Sequence, residues 1–276
     1  MTAPRTPTTP TRVRALADGR VLERPDRLVT EEPMEIRVHV PGGDPEPLAV
    51  TMRTPGSDFE LAVGFCVTEG VVHSPDDVAS VAYCVERGMQ HYNIVTVRLR
   101  AAPPDGLPHR AFVANASCGL CGKTALDDVE LRCPPIAGGP TVAASTVLTL
   151  PERLREAQRV FDSTGGLHGA ALFHTDGTLD MLREDVGRHN AVDKVVGRAA
   201  LDRRLPLASS VLVVSGRVSF EIVQKAAMAG IPIVCAVSAP SDLAVRLADR
   251  LGMTLVGFLR GDGFNVYSHD NRIDLR

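Results

Sequence analysis

Residues 211–260 read VLVVSGRVSFEIVQKAAMAGIPIVCAVSAPSDLAVRLADRLGMTLVGFLR, and their pattern decides the fold. Val211-Leu-Val-Val214 is a short, wholly apolar run, as expected of a strand buried on both faces. Residues 219–229 follow as a helix stopped by Gly230 and Pro232. Residues 231–237 form the next strand. Ser241 caps a second helix on which Leu243, Leu247 and Leu251 share one face, with Gly252 as its stop. Residues 254–259 are a third strand. Strand–helix–strand–helix–strand with tight connections implies right-handed crossovers and a mostly parallel sheet, hence an α/β fold.

Upstream, residues 189–200 read as a helix and 151–161 as another, with Leu154, Ala157 and Phe161 facing inward. Residues 170–173 and 179–182 flank Asp176-Gly177, the strongest short hairpin signal. Met34-Glu-Ile-Arg-Val-His-Val40 alternates strictly and predicts a half-buried strand ended by Pro41-Gly-Gly43. Ser57 with Glu60 three residues on reads as a capping box, with Phe59, Ala62 and Cys66 at helical spacing and Gly70 as the stop. Tyr92-Asn-Ile-Val-Thr-Val-Arg-Leu99 is a further strand. Residues 101–108, rich in Pro and Gly, read as a connector. The first residues are Thr-, Pro- and Arg-rich without an apolar run, so a disordered tail is expected over 1–18 and no secretory signal.

The chain has 276 residues, 44% of them hydrophobic and 23% charged, which excludes a disordered or fibrous protein. A net charge of −3 gives no global pull toward nucleic acid, and the absence of Trp argues against a base-stacking platform. The longest uncharged stretch, between Lys225 and Asp242, holds two prolines and a glycine and is too short for a membrane span. Six cysteines are too few for a disulfide scaffold of this size, so reduced thiols and a cytoplasmic location are expected.

In a parallel sheet, ligands bind beyond the carboxyl ends of the strands. Those ends carry Ser215, Gly216 and Arg217, then Ser238 and Ser241, then Arg260, Gly261, Asp262 and Gly263. Arginines, hydroxyls and glycine amides at one edge suit an anion such as phosphate. Edge chemistry alone equally allows plain turn and capping residues, since no Gly-x-Gly-x-x-Gly or Walker A loop is present.

The sharpest chemical feature is Ser117-Cys-Gly-Leu-Cys-Gly-Lys123. Two thiols spaced as Cys118 and Cys121 share a metal, cycle through a disulfide, or carry sulfur as a persulfide. Each role needs thiolate, which Lys123 favours. A structural zinc site needs four ligands, and no second close pair is present, so no bound metal is expected. Cys66 and Cys235 lie on apolar elements and read as core. Gly165-Gly-Leu-His-Gly169 places His168 before a strand. In Arg183-Glu-Asp-Val-Gly-Arg-His-Asn190 and the following Ala-Val-Asp-Lys194, His189 with Asp193 and Asn190 with Lys194 stand at i, i+4. Spacing alone favours a solvated helix start with ordinary charge pairs. The density of Gly, His, Asp and Arg there nonetheless exceeds what folding needs, and the roles of His168, Glu184, His189 and Asp193 stay unassigned.

Ser117-Cys-Gly-Leu-Cys-Gly, Gly166-Leu-His-Gly169, Glu184-Asp-Val-Gly-Arg-His-Asn-Ala-Val-Asp-Lys194, Ser215-Gly-Arg217 and Gly257-Phe-Leu-Arg260 occur in an order that resembles the formate dehydrogenase accessory protein family (FdhD), from about Arg20 to the C-terminus. The resemblance implies a sulfurtransferase that takes persulfide sulfur from a cysteine desulfurase. It would deliver this sulfur to the molybdenum cofactor of formate dehydrogenase, Mo-bis(molybdopterin guanine dinucleotide). It implies a homodimer, with a smaller mixed α/β domain over 19–110. A cytidine-deaminase-like α/β domain with a mixed, largely parallel sheet is implied over 111–276. By motif, Cys118 matches the persulfide-bearing cysteine and Cys121 its partner. Phe258, Leu259, Arg260, Gly261, Asp262 and Gly263 match the cofactor-binding segment, with Ser215 and Arg217 beside it. A zinc nucleobase deaminase is disfavoured, because no His-x-Glu is present and Ser117 replaces the Pro before the Cys pair. The remaining rival is a non-catalytic assembly chaperone with a structural Cys pair.

Overall fold

A computed structural model describes residues 6–86, 88–104, 106–107, 112–114, 133 and 135–276 of the chain. It opens with a two-stranded antiparallel ribbon, β1 (Thr8–Ala17) and β2 (Arg20–Val29), where a disordered tail was expected. The turn explains the difference. Asp18 and Gly19 both have positive φ (51° and 72°), the geometry of a type I′ hairpin, and Asp-Gly is its sequence signature. Polar composition hid the strands because most of the ribbon's side chains face solvent, Leu16, Val21 and Leu22 among them.

Next come β3 (Glu32–His39), β4 (Glu46–Arg53), helix α1 (Asp58–Thr68), β5 (Val78–Glu86), β6 (Met89–Leu99) and β7 (Phe112–Ala114). The strands form one sheet in the order β5-β6-β3-β4-β7, with β3 parallel to β6. Alternation in β3 buries Met34, Ile36 and Val38 against α1, as its sequence predicts. The capping box does not form. Ser57 is left-handed (φ 57°) and makes no capping bond. Asp58 instead accepts hydrogen bonds from the Gly56 amide (3.2 Å) and from Arg53 Nη2 (2.9 Å), while Glu60 accepts from Arg183 Nη2 (2.8 Å). The buried Arg53 guanidinium, which also meets Glu32 (3.4 Å), engages Asp58 because a buried charge must be paired.

The remainder begins with β8 (Val142–Ala143), α2 (Ala144–Ala157), α3 (Arg159–Thr164), β9 (His168–Phe173), β10 (Leu179–Asp185) and α4 (Arg188–Leu201). It continues with β11 (Val211–Val214), α5 (Phe220–Met228), β12 (Ile233–Ala236), α6 (Asp242–Arg250), β13 (Thr254–Arg260), β14 (Gly263–Ser268) and β15 (Ile273–Asp274). The expected helix over 151–161 is two helices. α2 starts seven residues earlier and runs through Pro151, its Val147, Leu150 and Leu154 pinned in the core. Ser241 caps α6 by accepting from the Ala244 amide, as predicted.

The second sheet runs β10-β9-β11-β12-β13-β14. It is parallel only at β11-β12-β13, and β10, β9 and β14 join antiparallel, so the sheet is mixed as expected but not largely parallel. The Asp176-Gly177 hairpin and the β13–β14 hairpin cause this, since tight turns between neighbours force antiparallel pairing. One face of the sheet packs on α2. The other packs on the larger core containing α1, α4, α5 and the first sheet.

α1 and α4 cross between the sheets at a pair of glycines. A Cβ on Gly64 would lie 1.8 Å from the Asp193 carbonyl oxygen, and one on Gly197 equally close to that of Glu60. Around this crossing the 184–194 motif forms a buried polar joint. Asp185 meets Lys194 Nζ (2.7 Å) and the Thr54 amide (3.1 Å), and Asn190 donates to the Met52 carbonyl (2.8 Å). Asp193 bonds Thr68 (2.7 Å) and Lys225 (3.0 Å). The i, i+4 pairs of the solvated-helix reading are therefore absent. Both carboxylates point across elements, because that is where the buried cations are.

Candidate functional site

The parallel register Val214↔Ala236 and Cys235↔Val256 brings the carboxyl ends of β11, β12 and β13 side by side. The loops beyond them are laced into one edge. The Val237 amide donates to the Val214 carbonyl (3.2 Å), Val218 to Ala239 (3.2 Å), Ser241 to Val218 (2.9 Å) and Phe258 to Ser238 (3.1 Å). Ser215 extends the edge to β9, its amide donating to the Gly169 carbonyl and its Oγ accepting from the Gly169 amide, both at 2.9 Å.

Phe258 is the most unusual residue on this edge. Its φ is 53°, a left-handed conformation that costs a bulky residue about 1–2 kcal/mol, and its ring is 37% exposed. A bulge in β13 between Gly257 and Arg260 imposes the turn. Gly257 allows it, since a Cβ there would lie 2.8 Å from Pro240 Cδ and 3.0 Å from Tyr267 Cε2. The Arg260 guanidinium stands 5.7 Å from the Phe258 ring centroid, and Arg260 pairs with Gly263 across the β13–β14 hairpin. Gly261, Asp262 and Gly263 form the exposed end of that hairpin, and Arg217 is exposed on the neighbouring loop. Leu259 differs: it is fully buried in the α2-side core, so only its backbone faces the edge.

His168, Arg188 and His189 join the same edge, a grouping the sequence did not disclose. A Cβ on Gly216 would lie 3.2 Å from His168 Nδ1 and 3.9 Å from Arg188 Cβ, so both residues flank this glycine. Burial, then Arg188, keeps His168 below the ordinary histidine range, with Arg217 adding and Asp185 opposing. His189 Nε2 lies 3.0 Å from Ser219 Oγ, and burial with Lys225 and Arg188 nearby lowers its pKa to about 4. Glu184 is structural, since its carboxylate accepts from the Val160 (3.0 Å) and Phe161 (2.8 Å) amides that open α3. Among the described residues, Arg188, Arg217 and Arg260 make no salt bridge, whereas Arg53, Arg183 and Arg204 all do.

Cys118 and Cys121 lie outside the described residues. Of the other cysteines, burial pushes the Cys235 thiol up to about 12 and Cys133 to about 11, and raises Cys66 still further with help from Asp193 and Glu69. These three are core thiols. Cys84 is half-buried, 3.9 Å from Arg37 Nη1.

A protein-family model described as the FdhD/NarQ family matches residues 29–274. The chain belongs to the FdhD/NarQ family. It is 54% identical over 269 residues to the sulfur carrier protein FdhD of Mycolicibacterium paratuberculosis, covering 95% of this chain and 97% of that protein. To the protein of the same name in Mycobacterium tuberculosis it is 53% identical over 272 residues, with the same coverage. The Streptomyces avermitilis FdhD protein is 54% identical over 275 residues, covering 95% of this chain and 94% of its own. The fold is also that of a crystal structure of a formate dehydrogenase accessory protein from Desulfotalea psychrophila, at a TM-score of 0.77 and 23% identity, covering 97% of this chain and all of that one. Among the described residues no helix is long and apolar enough to cross a membrane.

Proposed function

We propose that this protein is a sulfur carrier for formate dehydrogenase. In this reading it takes a persulfide sulfur from a cysteine desulfurase onto Cys118 and hands it to the molybdenum cofactor, Mo-bis(molybdopterin guanine dinucleotide), as a homodimer in the cytoplasm. The observation that carries the reading is the strand-end edge, in a chain 53–54% identical to proteins named sulfur carriers. That edge offers three arginines without salt bridges and an exposed aromatic ring held in a strained conformation. Guanidiniums suit the pyrophosphates of a dinucleotide, and the Phe258 face suits a purine. Strain of this kind persists where the surroundings enforce it, which is typical of ligand clamps.

The thiols support the same assignment. A thiol must ionise to attack, and the three core cysteines are held protonated by burial. The Cys118 thiolate attacks the outer sulfur of the donor persulfide; a new S–S bond forms, the donor's S–S bond breaks, and the donor cysteine leaves as thiolate, with no net oxidation. Cys121, three residues on, is positioned in sequence to assist or to take the sulfur in turn.

The rival is an assembly chaperone with a structural Cys pair, and two variants separate it from the carrier. Cys118→Ala should keep the wild-type melting temperature and fail to activate formate dehydrogenase. Loss of folding in parallel with activity would favour the chaperone. Arg260→Ala should weaken guanine nucleotides in calorimetry, and unchanged affinity would remove Arg260 from the site.

A further inference from the structure

The following rests on reading the strand-end edge as a nucleotide-cofactor site. We propose that His168 is a proton-coupled anchor in that site: when the pyrophosphate of a guanine nucleotide docks against Arg188 and Arg217, the imidazole takes a proton from solvent and holds the anion as imidazolium.

His168, Arg188 and Arg217 cluster at this edge, and the one carboxylate of α5 near them, Glu221, faces His189 (3.9 Å) and Arg188. His168 opens β9, and the loop after β11 closes on it so tightly that only glycine fits at position 216 without pressing on the ring. Arg188, at the first turn of α4, approaches the same glycine, its Cβ 3.9 Å from where a Gly216 Cβ would stand. Its Nε is buried and makes no hydrogen bond among the described residues.

The groups facing His168 come from three elements. β10 supplies Asp185, the residue opposite it in the strand pairing. α4 supplies Arg188 and His189, and the loop after β11 supplies Arg217. Asp185 is the only carboxylate among them, and its oxygens are already engaged by Lys194, the Thr54 and Gly187 amides, and Asn190. With two guanidiniums near and the carboxylate committed elsewhere, His168 is neutral at pH 7 in the free protein. A phosphate placed among these cations offsets their field and adds negative charge of its own, which favours the imidazolium. His189 does not serve this purpose, because it is more deeply held in the neutral form and its Nε2 is bonded to Ser219.

The test is calorimetry with diguanosine pyrophosphate, a diester without an ionisation of its own between pH 6 and 8, in buffers of differing ionisation enthalpy. Wild-type protein should take up a fraction of a proton per ligand at pH 7 and bind roughly fivefold tighter at pH 6 than at pH 8. His168→Gln should bind more weakly with no uptake and a flat pH profile. In the wild type, the His168 ring resonance, followed by NMR titration, should move to a higher pKa when ligand is present, which needs no variant to fold. Binding with no proton uptake, or with equal uptake in His168→Gln, would overturn the inference while leaving the nucleotide site standing. Sulfate, which has no ionisation in this range, drawing the same uptake at similar affinity would also overturn it, by showing that the subsite serves free anions. No binding at all would remove the nucleotide site and this inference with it.

Discussion

Phe258 and His189 show how single residues on the edge trade stability for function. Replacing Phe258 by Gly removes the left-handed strain and should stabilise the fold by about 1 kcal/mol in urea denaturation. The same change removes the exposed ring and should weaken guanine nucleotide binding by about 1–3 kcal/mol. A variant that gains stability and keeps its affinity would show that the strain serves something else. His189 contributes to acid sensitivity. Its folded pKa, about 4, lies below the unfolded value of about 6.5, so the unfolded chain takes up the proton first. Its contribution is complete above pH 6.5 and is lost as pH falls toward 4, to a limit of about 3 kcal/mol. Stability measured across that window should fall with acid in the wild type and fall less in His189→Gln. Parallel curves would assign the acid sensitivity to other groups. At this scale the sequence disclosed the core cysteines through their apolar neighbours. It did not disclose the backbone angle of Phe258, which is set by a bulge and by packing against Pro240 and Tyr267.

Among the elements, the α1–α4 crossing joins the two sheets. Its two glycines bring backbone against backbone, and no side chain nearby has room to yield. Gly64→Ala should therefore cost about 3 kcal/mol or more, read as a lowered urea midpoint. A midpoint within error of the wild type would mean that the helices separate freely. The strands and helices of residues 211–260 were legible because each short apolar run is bounded by a cap or a glycine. Ser241 and Gly252 acted as read. The Ser57 cap failed because Arg53 and Asp58, five residues apart, made a stronger local bond. The ribbon's polar composition masks its strands, although Asp18-Gly19 carries the same turn signal as Asp176-Gly177.

Across the whole molecule, the 184–194 motif divides into two jobs. Glu184, Asp185, Asn190, Asp193 and Lys194 tie α3, β4, α1 and α5 to the second sheet. Arg188 and His189 face the strand ends. Its sequence density was legible, but the division was not, because it depends on partners more than a hundred residues away. The strand-end edge itself was foreseen from the α/β pattern at Ser215, Arg217, Ser238 and Arg260. Leu259, which the family motif places in the cofactor-binding segment, has its side chain in the core.

In the proposed function everything turns on Cys118 as the residue that carries sulfur. Intact-protein and peptide mass spectrometry after incubation with a cysteine desulfurase and cysteine tests it directly. A gain of about 32 Da, one sulfur atom, is expected on the peptide bearing Cys118, removed by reductant and absent in Cys118→Ala. An unmodified Cys118 beside a demonstrably active desulfurase would contradict it.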